Sequence, residues 1–270
     1  MPIYLRLPLY ALIAYAAICL LVWIFQRNLQ YFPDRGRVPH PVGDAFRELE
    51  DVRIPVGEGV EIAAWYWPGL RPVTLLFFHG NAGHRGHRLG WVQTFHDLGW
   101  GVLLIDYRGY AESTGSPTEE GLAADARAAR AWLAERGVER VAYVGESIGC
   151  SVAIGLAVSD PPVALVLQSG TVSVRAVAQH HYPYLPVGLL MKDRYESADK
   201  LAQIRTPLLA IHGERDRIIP ISFGRAMFDA AASEDKEWWA LSGAGHNDVP
   251  WRGGRDYYER IHLFLERVTR

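Results

Sequence analysis

The first strong pattern along the chain is a long stretch with no polar rhythm. From Leu7 to Gln26, "LPLYALIAYAAICLLVWIFQ", no side chain is charged. At about 1.5 Å per residue this run makes roughly 30 Å of helix, the thickness of a bilayer's hydrocarbon core. Arg6 and Arg27 flank it, and tyrosine and tryptophan lie near both ends, where interfacial aromatics are favoured. A cleaved signal peptide has a shorter apolar core, about 7 to 15 residues, and a small-x-small cleavage site. The exit "WIFQRNLQYFP" offers no such site. Residues 1–27 are therefore expected to form one uncleaved transmembrane helix, with a buried core helix as the competing reading.

Residues 28–45, with three prolines and two glycines, read as a linker or an irregular docking segment. Residues 46–270 then change period. "FRELEDVRIPV" alternates in part and "VEIAAWYWP" is rich in β-branched and aromatic residues, which predicts an antiparallel pair. Continuous apolar runs follow at 73–78, 101–106, 141–145, 164–169, 207–213 and 237–243, with helical stretches between them. Short, wholly apolar strands alternating with helices predict a mostly parallel sheet of about eight strands covered on both faces, an α/β domain. The helix between the second and third runs carries a start signal in Ser116, Pro117 and Glu119 and a stop at Gly137.

Composition narrows the function. With 28 basic and 30 acidic residues the net charge is −2, which argues against a nucleic-acid binder. Two cysteines, Cys19 and Cys150, make neither a disulfide framework nor a zinc cluster, and leave the redox compartment open. Arg6 and the terminal amine oppose Arg27, Arg35 and Arg37 across the apolar run; the balance leans by a small margin towards a cytoplasmic catalytic domain and leaves the side open.

In open parallel sheets the ligand crevice lies at the carboxyl ends of the strands. The segments there are "HGNAGH", "DYRGYAES", "GESIGC", "HGERDR" and "GAGHND", an unusual density of reactive side chains. Gly145-Glu146-Ser147-Ile148-Gly149 fits G-x-S-x-G, with a strand before it and a helix after it, the context of a nucleophile elbow. The plainer reading is a serine that caps the helix. A serine hydroxyl needs a base, and the base needs a carboxylate to hold its tautomer. In the chain order Ser, Asp, His that this fold demands, Asp216 and His246 follow late strands at suitable intervals. Asp248, Glu214 and Asp106 are rival acids, and His212 reads as a packed strand-end residue. The backbone N–H groups of Ile148 and Asn81 are the candidate oxyanion donors. A phosphate cradle at "HGNAGHRG" lacks the P-loop lysine and the glycine spacing of a dinucleotide site.

Through "LQYFP", "FFHGNAGHR", "DYRGYAESTGSPTEEG", "VGESIG", "YPYLP", "HGERDRIIP" and "GAGHND" nearly the whole chain resembles the α/β-hydrolase superfamily, and within it the Bem46-like group of membrane-anchored serine hydrolases. The resemblance implies Ser147 as nucleophile, Asp216 as acid and His246 as base, and a helical stretch over the site between Gly170 and Arg205 in place of a large lid. Two positions depart from the group's pattern: Cys150 stands where a glycine is common, and "QSGTVS" replaces Pro-Phe-Thr-Ser near the acyl pocket.

The expectation is a membrane-bound serine hydrolase of small-molecule or lipid-like esters or thioesters, using no cofactor and no metal. A peptidase or amidase with the same triad is one alternative. A catalytically idle membrane scaffold on the same fold is another. Asp106, Arg108 and Tyr110 are expected to brace their loop, Cys150 to pack, and Trp238 and Trp239 to flank a strand. Oligomeric state, substrate and acyl length stay open.

Overall fold

A computed structural model describes the backbone from Ile3 to Arg270 and the side chains from Arg6 onward. Helix α1 (Ile3–Gln30) carries the apolar run and continues three residues into the segment expected to be irregular. The chain then forms β1 (Phe32–Pro33), β2 (Glu50–Gly57), β3 (Val60–Trp67), β4 (Thr74–Phe78), β5 (Ala82–Gly83), α2 (Leu89–Asp97), β6 (Gly101–Ile105) and α3 (Glu119–Glu135). It continues through β7 (Val141–Glu146), α4 (Ile148–Ser159), β8 (Ala164–Gln168), α5 (Val174–His181), α6 (Val187–Leu190), α7 (Ser197–Leu201), β9 (Leu208–Gly213), α8 (Ile221–Ala230), β10 (Lys236–Leu241) and α9 (Val249–Thr269).

Eight strands form one sheet in the order β10-β9-β8-β7-β4-β6-β3-β2. β2 and β3 pair antiparallel, β3 meets β6 antiparallel, and every other neighbour is parallel. The continuous apolar runs follow from two-sided burial. Along β4, Leu76 and Phe78 join the core beneath α3, α4, α7 and α8, while Leu75 and Phe77 join the core beneath α2 and α9. A strand buried on both faces has no place for an alternating polar residue.

Helix α3 starts later than its capping signal suggests. Thr118, in an extended conformation, is the N-cap, and its Oγ1 accepts from the Gly121 N–H at 2.9 Å. Ser116 and Pro117 therefore lie before the cap, in irregular backbone after the left-handed Gly115.

The carboxyl end of α1 is fastened to the segment after α6. Gln26 Nε2 donates to the Leu190 carbonyl at 3.0 Å and Gln26 Oε1 accepts from the Lys192 N–H at 2.7 Å. Arg27 pairs with Asp193 at 2.8 Å, and the Tyr31 and Tyr195 hydroxyls lie 2.8 Å apart. Beyond α1, β1 pairs in parallel with β5, Phe32 opposite Ala82 and Pro33 opposite Gly83.

Candidate active site

Ser147 stands alone between the last residue of β7 and the first of α4, at φ 55° and ψ −118°. A non-glycine residue held in that region costs on the order of 1–3 kcal/mol and persists only where its surroundings fix it. Here the fixing is visible. The Ser147 N–H donates to the Gln168 carbonyl at the end of β8 at 2.8 Å. A Cβ on Gly149 would lie 2.0 Å from the Phe78 carbonyl oxygen, and one on Gly145 would lie 2.6 Å from Cys150 Cα. The two glycines of the motif are thus required by the close approach of α4 to β4 and to its own strand. The plainer helix-capping reading of Ser147 has no support in the geometry, since its side chain makes no cap hydrogen bond.

Strand ends bring the other two residues to it. Asp216 lies three residues past β9, and His246 lies in the loop between β10 and α9. His246 Nδ1 donates to Asp216 Oδ2 at 2.6 Å, and in that tautomer Nε2 accepts from the Ser147 hydroxyl at 3.0 Å. Asp216 Oδ1 accepts from the N–H groups of Ile218 at 2.9 Å and Ile219 at 2.7 Å. Burial would raise the Asp216 carboxyl, but hydrogen bonds from His212, His246 and the Ile219 N–H outweigh it and hold it well below the usual carboxylate range. A carboxylate kept ionised in this way fixes the tautomer of its imidazole.

The rival acids are committed elsewhere. Asp248 accepts from the Gly245 N–H and from Arg252. Glu214 is exposed. Asp106 is fully buried against Arg85 and His79, whose contacts outweigh the effect of burial and keep it ionised. Arg108 binds Asp125 through both its backbone and its guanidinium, and the Tyr110 hydroxyl donates to the Asn81 carbonyl, so this loop is braced as expected. Cys150 is buried with its thiol directed at the Gly145 and Gln168 carbonyls, and burial pushes its pKa far up, which leaves it a packing residue and no nucleophile.

Of the candidate oxyanion donors, Ile148 opens α4 at the elbow itself and Asn81 lies on a loop tied to it. The Gly80 N–H donates to Glu146 Oε2 at 3.2 Å, and Arg88 pairs with the same carboxylate at 2.9 Å. Asn81 Nδ2 donates to the Gln30 carbonyl at 2.7 Å, while the Asn81 carbonyl accepts from the Phe32 N–H at 3.0 Å. Among the described residues neither the Asn81 nor the Ile148 N–H has a protein acceptor.

Sequence reasoning missed three features. His212 touches Asp216, Arg88 clamps Glu146, and Arg85 neutralises Asp106. Each depends on a contact between distant loops, and only the basic and acidic letters in "GHRGHR" and "GES" hinted at the second. Asp34, His84 and His87 also come together, with His84 Nε2 3.8 Å and His87 Nε2 4.0 Å from Asp34 Oδ2. That trio is poorly set for a metal, because His84 Nδ1 accepts from the Gly86 N–H and so leaves the proton on Nε2, the nitrogen facing Asp34.

Comparison with known proteins bears on the family and the fold. The model of the alpha/beta hydrolase fold matches residues 73–174. An uncharacterised protein of Mycobacterium tuberculosis is 41% identical over 97% of this chain and 96% of its own length. The bem46 protein of Schizosaccharomyces pombe is 32% identical over 89% of this chain and 86% of its own. The lysophosphatidylserine lipase ABHD12 of Danio rerio is 31% identical over 74% of this chain and 57% of its own. Among solved structures, an esterase of Pyrococcus furiosus superposes with a TM-score of 0.74 at 20% identity, over 89% of this chain and 98% of that one. The chain belongs to the α/β-hydrolase superfamily, as a Bem46-like member.

Proposed function

We propose that this hydrolase is a membrane-anchored serine hydrolase that cleaves carboxylic esters or thioesters through an acyl-Ser147 intermediate. The observation that carries the reading is the unbroken chain from Ser147 Oγ through His246 to Asp216, at 3.0 and 2.6 Å, on a strained elbow. Ser147 Oγ attacks the carbonyl carbon as His246 Nε2 takes its proton. The carbonyl oxygen becomes an oxyanion facing the unpaired N–H groups of Ile148 and Asn81. Collapse expels the alcohol or thiol, which receives the proton from His246. Water, deprotonated by the same imidazole, then attacks the acyl-enzyme and releases the carboxylate and free Ser147.

Asp216 does not accept the proton in this scheme; it holds the imidazole and stabilises the imidazolium. An ester is favoured over an amide by the company the chain keeps, a lipase among its relatives and an esterase among its structural neighbours. The anchor is the apolar helix of residues 6–30, long and apolar enough to cross a membrane.

A fluorophosphonate probe tests the mechanism. It should label Ser147 in the folded protein, and Ser147→Ala should abolish labelling and lower ester turnover by about 10⁴-fold or more. Retained turnover in that variant would refute the reading. A matched pair of p-nitrophenyl ester and p-nitroanilide separates esterase from amidase.

A further inference from the structure

Helix α1 does not simply leave the catalytic domain; a second apolar segment travels along it. From Tyr182 to Met191, "YPYLPVGLLM", no side chain is charged. Tyr182 is 50% exposed, Tyr184 66% and Leu189 85%. This segment touches α1 far from its carboxyl end, where the Tyr15 hydroxyl donates to the Tyr184 carbonyl at 2.8 Å.

The spacing of the contacts along α1 fixes a depth. Arg27 meets Asp193, Lys192 lies 3.9 Å from the centre of the Trp23 ring, and Tyr15 meets Tyr184. At 1.5 Å per residue, Tyr15 lies about 18 Å along the helix from Arg27, more than half a hydrocarbon core. If α1 crosses a bilayer with Arg27 at its surface, Tyr184 and its neighbours lie within the leaflet. Sliding α1 outward until Tyr15 reached water would leave only the uncharged residues 7–14, about 12 Å of helix, and draw Arg6 into the hydrocarbon.

The backbone of the segment suits that medium. Hydrocarbon demands that N–H and C=O groups be satisfied within the protein. Pro183 and Pro186 have no N–H to satisfy. Leu185 donates to Tyr182, Val187 to Leu185, Leu189 and Leu190 to Pro186, and Met191 to Val187. Among the described residues only the Tyr184 and Gly188 N–H groups of this segment lack a protein acceptor. Side chains of α1 serve the carbonyls of Tyr184 and Leu190. Lys192 and Arg194 follow at once, cations of the kind favoured at headgroup level.

The residue just before the segment is linked to the loop that carries Asp216. His181, at its amino end, lies with Nε2 2.8 Å from the Ile218 carbonyl, and the Ile218 N–H donates to Asp216.

We infer that Tyr182–Met191 is immersed in the leaflet beside α1 and forms the lipid-side lip of the active site, so that the ester enters from the bilayer. The immersion rests on α1 crossing the membrane; the entry route rests in addition on the hydrolase reading above.

Full-length protein in phosphatidylcholine vesicles tests both. In a Cys19→Ser background, Leu189→Cys carries an environment-sensitive nitrobenzoxadiazole label, and Leu70→Cys, 98% exposed ahead of β4 at the opposite end of the sheet, carries the control. Doxyl-labelled lipid should quench the label at 189 and aqueous iodide should not, with the reverse at 70. Iodide quenching at 189 equal to that at 70 overturns the immersion. For the route, Leu189→Asp should lower turnover of a monoacylglycerol carried in the vesicles, relative to p-nitrophenyl butyrate in water, by about tenfold, the scale of losing one buried leucine. Equal turnover of the vesicle substrate by variant and parent overturns the route. If the parent hydrolyses neither ester, the hydrolase reading falls while the quenching result still decides the immersion.

Discussion

His212 shares the carboxylate of Asp216 with His246: its Nε2–H lies 3.3 Å from Asp216 Oδ2 and donates to the Ile219 carbonyl at 2.9 Å. Its ring is stacked on Trp238, and a Cβ at Gly224 would fall 2.2 Å from its Nδ1, so it has no room to turn. On the proposed mechanism His212 would position the acid, without facing the reacting atoms. His212→Leu should reduce kcat roughly three- to tenfold with KM steady, the worth of one hydrogen bond. Steady-state kinetics on a soluble ester read the split, and a change confined to KM would contradict the assignment.

Asp216 links activity to acid stability. Its carboxyl is held below its ordinary value of 3.8, so the folded state binds this proton less readily than the unfolded chain. The resulting stability is complete above the ordinary aspartate value and declines as the pH falls below it towards the lower folded value. Asp216→Asn should therefore lower Tm at pH 7, and the gap to the parent should narrow as the pH is taken below 4, about the ordinary aspartate value. Thermal melts across that range measure it; a gap that widens in acid would reverse the sign.

Arg85 neutralises a fully buried carboxylate. It pairs with Asp106 and, at 2.8 Å, with Glu112, and all but 2% of its side chain is out of solvent. Removing one partner of such a pair leaves an uncompensated charge, so Arg85→Met should cost about 3–5 kcal/mol. Adding Asp106→Asn should recover part of that loss, since an amide needs no counter-charge. Urea midpoints of the single and double variants decide the point.

Neither glycine of the elbow has room for a side chain. Gly149→Ala would drive a methyl group into the Phe78 carbonyl oxygen at 2.0 Å, backbone that cannot swing aside. A loss of more than about 3 kcal/mol, or failure to fold, is expected. A soluble, fully active Gly149→Ala protein would mean that α4 does not approach β4 this closely.

Much of this was legible in the letters. The order Ser147, Asp216, His246 could be read because each follows an apolar strand, and strand ends are where a parallel sheet gathers its chemistry. The strands themselves were readable because burial on two faces erases polar letters. The cap is Thr118 and not Ser116: both offer a hydroxyl next to Pro117, and only backbone conformation decides between them. His212 reads as core because its partner is set by the path of the loop after β9. The bond from Gln26 to Leu190 joins residues 164 apart, and no local pattern announces it.

The tie between Asn81 and the Gln30 carbonyl, backed by β1 beside β5, changes how a soluble form of this enzyme has to be cut. A natural place to trim is the end of α1, at Gln30. Trimming after Gln30 would delete the acceptor that holds the Asn81 side chain, and loosening Phe32 would leave the Asn81 carbonyl to the Tyr110 hydroxyl alone. Such a protein would keep Ser147, Asp216 and His246 and still work poorly. A shortened form that begins before Gln26 keeps the last turn of the helix as a latch.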